Sequence, residues 1–192
     1  MDSKEAIIKA ATELIEERGE RLGSVTVREI GKRAGVGLGL VNYHFGNKDE
    51  LIAQCVEKII NGIVARFVEM RERTEGMLPP EKLESLVQMT LDFLFEHRAV
   101  SRISILSDMQ SPKPDDNTQR TYSAYLPLVA ACRPDWDEDR VKRVTHCLIA
   151  SMQQSFLRSG AISDALGADI TDKRARAEYC RRLIGDIVGA AE

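Results

Sequence analysis

The sequence lacks the features that define several large classes of protein. Only 5% of its 192 residues are aromatic, and no apolar run approaches the roughly 18 residues that a membrane span needs. The N-terminal segment is charged and amphipathic, without the apolar core of a signal peptide. Lys and Arg number 27 against 30 Asp and Glu, for a net charge of −3, which excludes a histone-like basic protein. We therefore expect a globular protein of the cytoplasm, not associated with a membrane.

Residue clusters that carry catalysis or bind metals are also missing. The four cysteines form no CxxC pair, and the three histidines, His44, His97 and His146, are spread along the chain. Cys147 follows His146 directly, but adjacent residues of a helix point in different directions and make a poor Cys–His couple. No Walker, Rossmann, HExxH or GxSxG motif occurs. We expect no catalytic residue, no metal and no cofactor, and a redox-active cysteine stays an open alternative.

What the sequence does contain is apolar spacing typical of helices along its whole length. No stretch keeps the strict alternation of a half-buried strand. Capping-box patterns open helices at Asp2, Thr26 and Asn47. The sequence predicts an all-α protein of about nine helices, in which three short helices precede a long one and larger helices follow. We place the domain boundary there, giving an N-terminal domain of residues 1–46 and a second domain of residues 47–192.

The two short helices between Thr26 and Phe45 have the dimensions of a helix-turn-helix, with Gly35 in the turn. In such a unit the second helix enters the major groove of DNA. Between residues 21 and 48 the only acidic residue is Glu29, whereas five residues are basic. These are Arg21, Arg28, Lys32, Arg33 and Lys48. A basic segment on an otherwise acidic chain favours DNA binding at that segment.

The stretch TVREIGKRAGVGLGLVNYHFGNKDEL, from Thr26 to Leu51, resembles the DNA-binding domain of the tetracycline-repressor (TetR) family. The matching features are the opening threonine, the turn Ala34-Gly35-Val36, the run Tyr43-His44-Phe45 and Lys48 with Leu51. Chain length and the all-helical layout agree with that family. The resemblance implies a dimeric, ligand-responsive transcriptional regulator, usually a repressor, that binds a palindromic DNA operator.

The resemblance also implies roles for individual residues. Positions that match phosphate contacts are Thr26, Arg28, Tyr43, His44 and Lys48. Positions that match the base-reading side are Gly37, Leu38, Gly39, Leu40 and Asn42. Leu40 stands where threonine is frequent, and Asn42 where tyrosine is frequent. Asn42 is suited to adenine and either leucine to a thymine methyl group. The alternative is structural: Tyr43 and His44 would pack against the first helix, and Leu38 against a neighbour.

In the second domain the resemblance implies a small-molecule effector site among helices four to eight. The candidate lining residues are Phe67, Met70, Phe95, Ile103, Met109, Tyr122, Tyr125, His146, Gln153 and Phe156. This mostly apolar set favours a hydrophobic or amphipathic effector, and the alternative for each residue is a place in the core. The last two helices resemble the dimerisation pair of the family. The candidate residues there are Val144, Leu148, Met152, Ser155, Tyr179, Leu183 and Ile187.

Two other classes of function stay open at this point. One is a helical enzyme or cofactor-binding bundle whose N-terminal domain is only structural. The other is a helical adaptor that lacks DNA binding. A DNA-binding dimer would lose affinity steeply as the salt concentration rises, because bound phosphates release counterions, whereas neither alternative would.

Overall fold

The computed structural model describes residues 2–18 and 25–189, with only the backbone described for residues 61–73. The described chain is helical and has no strand, which confirms the predicted all-α class. The helices are α1 (Ser3–Arg18), α2 (Val27–Ala34), α3 (Leu38–Phe45), α4 (Lys48–Arg73), α5 (Pro79–Glu96), α6 (Arg98–Gln110), α7 (Asn117–Cys132), α8 (Glu138–Leu157), α9 (Ser159–Leu166) and α10 (Lys173–Val188). Within the described ranges there is one helix more than the predicted nine, the short α9. None of these helices is long and apolar enough to cross a bilayer.

Several helices begin with an N-cap residue whose side chain accepts a hydrogen bond from a backbone N–H group of the first turn. The capping box predicted at Thr26 is present, with the Thr26 side chain accepting from Glu29 N and the Glu29 carboxylate accepting from Thr26 N. The side chains of Asp116, Asp137 and Asp172 accept hydrogen bonds from backbone N–H groups at the starts of α7, α8 and α10, without the reciprocal bond of a capping box. These short polar side chains fix where each helix starts, because they satisfy N–H groups that have no partner inside the helix.

The helices form two compact units. Unit 1 comprises Met1–Ala65 and His97–Ser104, and unit 2 comprises Arg66–Glu96 and Ile105–Glu192. The core of unit 1 is built on α1, whose predicted apolar stripe is buried. Members of this core include Ile7, Ala11, Ile15, Ile30, Val41, Phe45, Leu51, Ala99 and Val100. Burying α2, α3 and the start of α4 against α1 holds two helices that are too short to be stable alone.

Unit 2 is a bundle in which α5 packs on α7 and α10, and α7 and α8 pack on each other. Tyr125 lies at its centre, fully buried, and its hydroxyl donates to Thr90 Oγ1 at 2.7 Å and lies 3.1 Å from Leu86 O. Arg176 is also buried and binds Asp92 of α5, with Nη2 2.7 Å from Oδ1. Both polar groups are hydrogen-bonded, as burial requires.

Candidate nucleic-acid interface

The turn between α2 and α3 is shaped by two glycines. Gly35 ends α2 and has φ +70°, a left-handed backbone conformation that residues other than glycine rarely adopt. Val36 N donates to Gly31 O at 2.9 Å, closing the turn. A Cβ atom on Gly31 would lie 3.1 Å from Val36 O, closer than most such contacts. Both glycines are therefore explained by the path of the chain itself, which brings α3 onto α2.

α3 presents one side to unit 1 and the other to solvent. Val41 and Phe45 are buried in the core. At 3.6 residues per turn, the positions turned away from these two are Asn42, Gly39, Tyr43 and Leu40, all exposed. Leu38 follows the direction of Phe45 to within about 20°, but it begins the helix and is exposed as well. Tyr43 is 82% exposed, so it does not pack against α1. Every predicted base-reading residue is therefore exposed, including Gly37 just before the helix.

His44 is placed differently from Tyr43. Its Nε2 lies 2.8 Å from Ser3 Oγ, so one ring nitrogen is hydrogen-bonded to α1. The edge of one ring faces the other, since the Tyr43 and His44 centroids are 5.4 Å apart with 72° between the planes. The sequence pattern did not identify Ser3 as a partner, because the two residues are 41 positions apart.

Lys48 is the first residue of α4 and is partly exposed. The preceding Asn47 accepts a hydrogen bond from Glu50 N through Oδ1 at 2.8 Å, which caps the helix as predicted. The Lys48 ammonium group and the positive end of the helix both attract an anion, although the same turn also carries the exposed carboxylates of Asp49 and Glu50.

The basic residues of the helix-turn-helix fall into two groups. Arg33 is paired with Glu17, with Nη1 2.5 Å from Oε1. Arg28 and Lys32 are exposed, and neither forms an ion pair with any residue that the structure describes. Arg21 lies outside the described residues. The positive charge available to a partner is therefore smaller than the sequence count suggested.

At the start of α2, Thr26 is exposed, but its hydroxyl donates to Glu29 Oε2 at 2.9 Å. Hydrogen bonds from the Thr26 backbone and side chain, with Arg18 Nη2 at 3.0 Å from Oε1, hold the pKa of Glu29 below its usual range. The Glu29 carboxylate stays charged and fixes this end of α2. In this arrangement the Thr26 hydroxyl is already hydrogen-bonded within the protein, whereas the side chain of Arg28, two residues later, is exposed.

A segment far along the chain completes unit 1. Ala99 and Val100 of α6 are buried with α1, and His97 Nδ1 lies 3.6 Å from Glu16 Oε1. That distance exceeds a hydrogen bond, and Glu16 Oε1 has no hydrogen-bond partner within the described chain. Burial raises the pKa of Glu16, opposed by the charge of His97. The local sequence pattern did not reveal this long-range packing.

The predicted effector-site residues are dispersed. Phe95 and Phe156 of unit 2 meet edge to face, with centroids 5.4 Å apart, and Tyr122 packs against the same core cluster that contains Tyr125. Ile103 packs in unit 1 instead. Met109 and His146 are exposed. The side chains of Phe67 and Met70 lie outside the described ones.

Gln153 belongs to a polar chain in unit 2 that the sequence did not indicate. Its Nε2 donates to Thr118 Oγ1 at 2.9 Å, and Thr118 donates to Asp108 Oδ2 through both N and Oγ1, each at 2.9 Å. Burial raises the pKa of Asp108, partly offset by these two hydrogen bonds. The chain joins α6, α7 and α8.

The predicted dimer residues on α8 and α10 also differ from one another in exposure. Leu148, Met152 and Ser155 are buried within unit 2, so they hold this chain together. The half-buried ones are Val144, Tyr179, Leu183 and Ile187. Tyr179 OH bonds to Ser155 Oγ, which ties α10 to α8.

Comparison with known proteins identifies the N-terminal part of the chain. Residues 7–55 match the family described as bacterial regulatory proteins, tetR family. An HTH-type transcriptional repressor of Mycobacterium tuberculosis is 28% identical over 170 residues, covering 85% of this chain and 80% of the relative.

Two solved structures are similar in fold. A transcriptional regulator from Rhodococcus sp. RHA1 has a TM-score of 0.63 at 19% identity, covering 97% of this chain and 96% of that one. FadR of Thermus thermophilus, a TetR-family repressor in complex with lauroyl-CoA, has a TM-score of 0.59 at 17% identity, covering 94% and 92%. With the helix-turn-helix geometry of α2 and α3, the family match identifies residues 7–55 as a helix-turn-helix segment of the tetR type, and the two structures show that the chain shares their fold.

Proposed function

We propose that this chain is a cytoplasmic transcriptional repressor that binds a palindromic operator as a homodimer and releases it when a small-molecule effector binds. The observation that carries the proposal is the exposed side of α3, with Tyr43 82% exposed beside the family's helix-turn-helix turn. A recognition helix has to present such a side to the major groove.

The proposed contacts divide by chemistry. Arg28, Tyr43 and Lys48 would bind phosphates, with Lys48 aided by the N-terminal end of α4. His44 would bind a phosphate through the ring nitrogen that Ser3 does not engage. Thr26 would contribute through the N-terminal end of α2, because its hydroxyl already bonds to Glu29. Residues 37–40 and Asn42 would face base edges. Phosphate contacts set the register and orientation on DNA, and base contacts set the specificity.

We place the effector in unit 2, near Phe95, Tyr122, Gln153 and Phe156. The apolar character of this set favours a hydrophobic or amphipathic ligand, and the lauroyl-CoA bound to the Thermus thermophilus relative is of that kind. Gln153, with Thr118 and Asp108, supplies the polar groups that such sites use for orientation. Dimerisation would use α8 and α10, the last long helices.

Release follows from linkage. An effector that prefers one arrangement of the dimer must weaken DNA binding by the same free energy with which DNA weakens effector binding. α4 is the proposed connection, because it begins at Lys48 and its residues belong to both units.

A salt titration of DNA binding tests the proposal. The probe is a duplex selected from a random-sequence pool with the full-length protein, and anisotropy gives the affinity at several KCl concentrations. Lys48→Ala should make the decrease of log K with log salt less steep, by about 0.9 for each domain bound, since one phosphate contact is lost. Lys113→Ala, an exposed lysine of unit 2, is the matched control and should leave the slope unchanged. Affinity independent of salt would contradict DNA binding.

A further inference from the structure

Two glycines stand at the start of the recognition helix, Gly37 as its N-cap and Gly39 inside it, and neither is required by close packing. Gly39 is the second residue of α3, and Gly37 precedes the helix with φ −73°. Neither has the positive φ that favours glycine. A Cβ atom at either position would meet nothing within 4 Å, unlike at Gly31. Glycine loses more backbone freedom on folding than any other residue, so its use here destabilises the fold without an internal contact in return.

The side chains on either side of Gly39 are apolar and exposed. Leu38 is 44% and Leu40 38% exposed, and they flank Gly39 on a helix that Val41 and Phe45 anchor to the core. α3, LGLVNYHF, contains no Lys, Arg, Asp or Glu, and its His44 ring is already bonded to Ser3. The bidentate contact of Arg or Lys with guanine is therefore absent from this helix.

We infer that α3 recognises its operator chiefly through the C5-methyl groups of thymine. Gly37 and Gly39 let the α3 backbone approach the floor of the major groove, and Leu38 and Leu40 contact thymine methyls on either side. Asn42 adds the amide that pairs with adenine N6 and N7. The inference rests on the proposed function, because it specifies the base chemistry read by the same surface. It accounts at once for the two glycines, the exposed leucines and the missing charge.

Removing the methyl groups from the DNA tests this directly. In the duplex selected from the random pool, each thymine within the footprint is replaced by deoxyuridine, which lacks only the C5 methyl. Thymines outside the footprint are replaced as the control. We expect affinity to fall about fourfold for each contacted methyl group that is removed, which is the effect on a binding constant of no longer burying one such group. The control duplex should bind as the unmodified one does.

Variants of the protein assign the effect to α3. Leu40→Ala and Leu38→Ala, both at exposed positions, should reduce the preference for thymine over deoxyuridine at one base pair each. Gly39→Ala should weaken binding by about tenfold or more, as a mismatched base pair does. Gly160→Ala is the matched control, because Gly160 is likewise the second residue of its helix, α9, and a Cβ there also meets nothing within 4 Å. Both alanine variants should melt no lower than the parent.

The outcomes separate the two proposals. Equal binding of thymine and deoxyuridine duplexes, with steep salt dependence, overturns methyl recognition and leaves DNA binding standing. Parent-like affinity of Gly39→Ala overturns the role of the glycines. Failure to select any duplex overturns DNA binding itself. The inference is supported if the parent protein binds the deoxyuridine duplex more weakly than the thymine duplex and this difference becomes smaller in Leu38→Ala or Leu40→Ala.

Discussion

The buried ion pair of unit 2 allows the sharpest prediction about stability. Arg176 lies on α10 and is 4% exposed, and its guanidinium binds Asp92 of α5 with Nε 2.8 Å from Oδ1. Nη1 donates to the carbonyls of Ile170 and Thr171 at 3.2 and 2.9 Å. The same group lies 4.6 Å from the Phe95 ring centroid. Arg176 therefore fixes α10 and the residues before it to α5.

Arg176→Ala should destabilise unit 2 by about 3 kcal/mol, the lower end for breaking a buried pair. The lower end applies because Lys173 Nζ, 3.6 Å from Asp92 Oδ2, still partly compensates the carboxylate. That loss corresponds to a fall of about 1–3 M in the urea midpoint. Trp136, the single tryptophan, belongs to unit 2 and reports its unfolding by fluorescence.

Arg182→Ala is the matched control for that experiment. Arg182 lies on α10 too and forms an ion pair with Glu178 of the same helix, but its side chain is 76% exposed. Exposed pairs contribute about 0–1 kcal/mol, so the midpoint should barely move. A loss below about 1 kcal/mol for Arg176→Ala would refute the reasoning, since Lys173 alone only partly compensates the largely buried Asp92 carboxylate.

Two further predictions concern titratable groups. Because burial raises the pKa of Asp108, the folded state keeps a proton that the unfolded state loses, and stability falls as pH rises through the folded pKa. Asp108→Asn should flatten this decline in urea midpoints measured from acid to neutral pH, and an unchanged slope would exclude the effect. Burial also raises thiol pKa values to about 11, 11 and 12 at Cys55, Cys132 and Cys180. Iodoacetamide at mildly alkaline pH should alkylate the exposed Cys147 first, as peptide mass spectrometry would show, and equal rates for all four would contradict this.

Local features of the fold were predictable from the sequence because they depend on neighbouring residues. The Thr26–Glu29 box is such a feature, since both partners lie within one turn. α9 was missed because Arg158 both ends α8 and begins α9, so no glycine or proline separates them. The packing of Ala99 and Val100 in unit 1 was missed for another reason. Helical spacing says which residues are apolar, and not which helix they will contact.

The candidate site divides along the same line. Gly35 was predictable as the turn residue because its conformation is a local requirement. The engagement of His44 by Ser3 and of the Thr26 hydroxyl by Glu29 required coordinates, because both depend on side-chain placement. The effector-site residues were chosen as apolar and aromatic positions in helices, a pattern that core residues share. That pattern cannot by itself separate a binding site from a core, and Tyr125 and Ile103 both pack in hydrophobic cores.

The places where the sequence departs from good helix chemistry point to function. α3 contains a glycine in its first turn, no capping side chain and exposed leucines, although Val41 and Phe45 anchor it well. Sequences that specify a fold agree at every level except where function imposes a cost. Gly31 and Gly35, which the chain path explains, carry no such information, whereas nothing inside the protein requires Gly39. Gly160 and Gly185 are equally unconstrained, so what sets Gly39 apart is its place among the exposed residues of α3, and the compensating contact that we propose for it is the edge of a base pair.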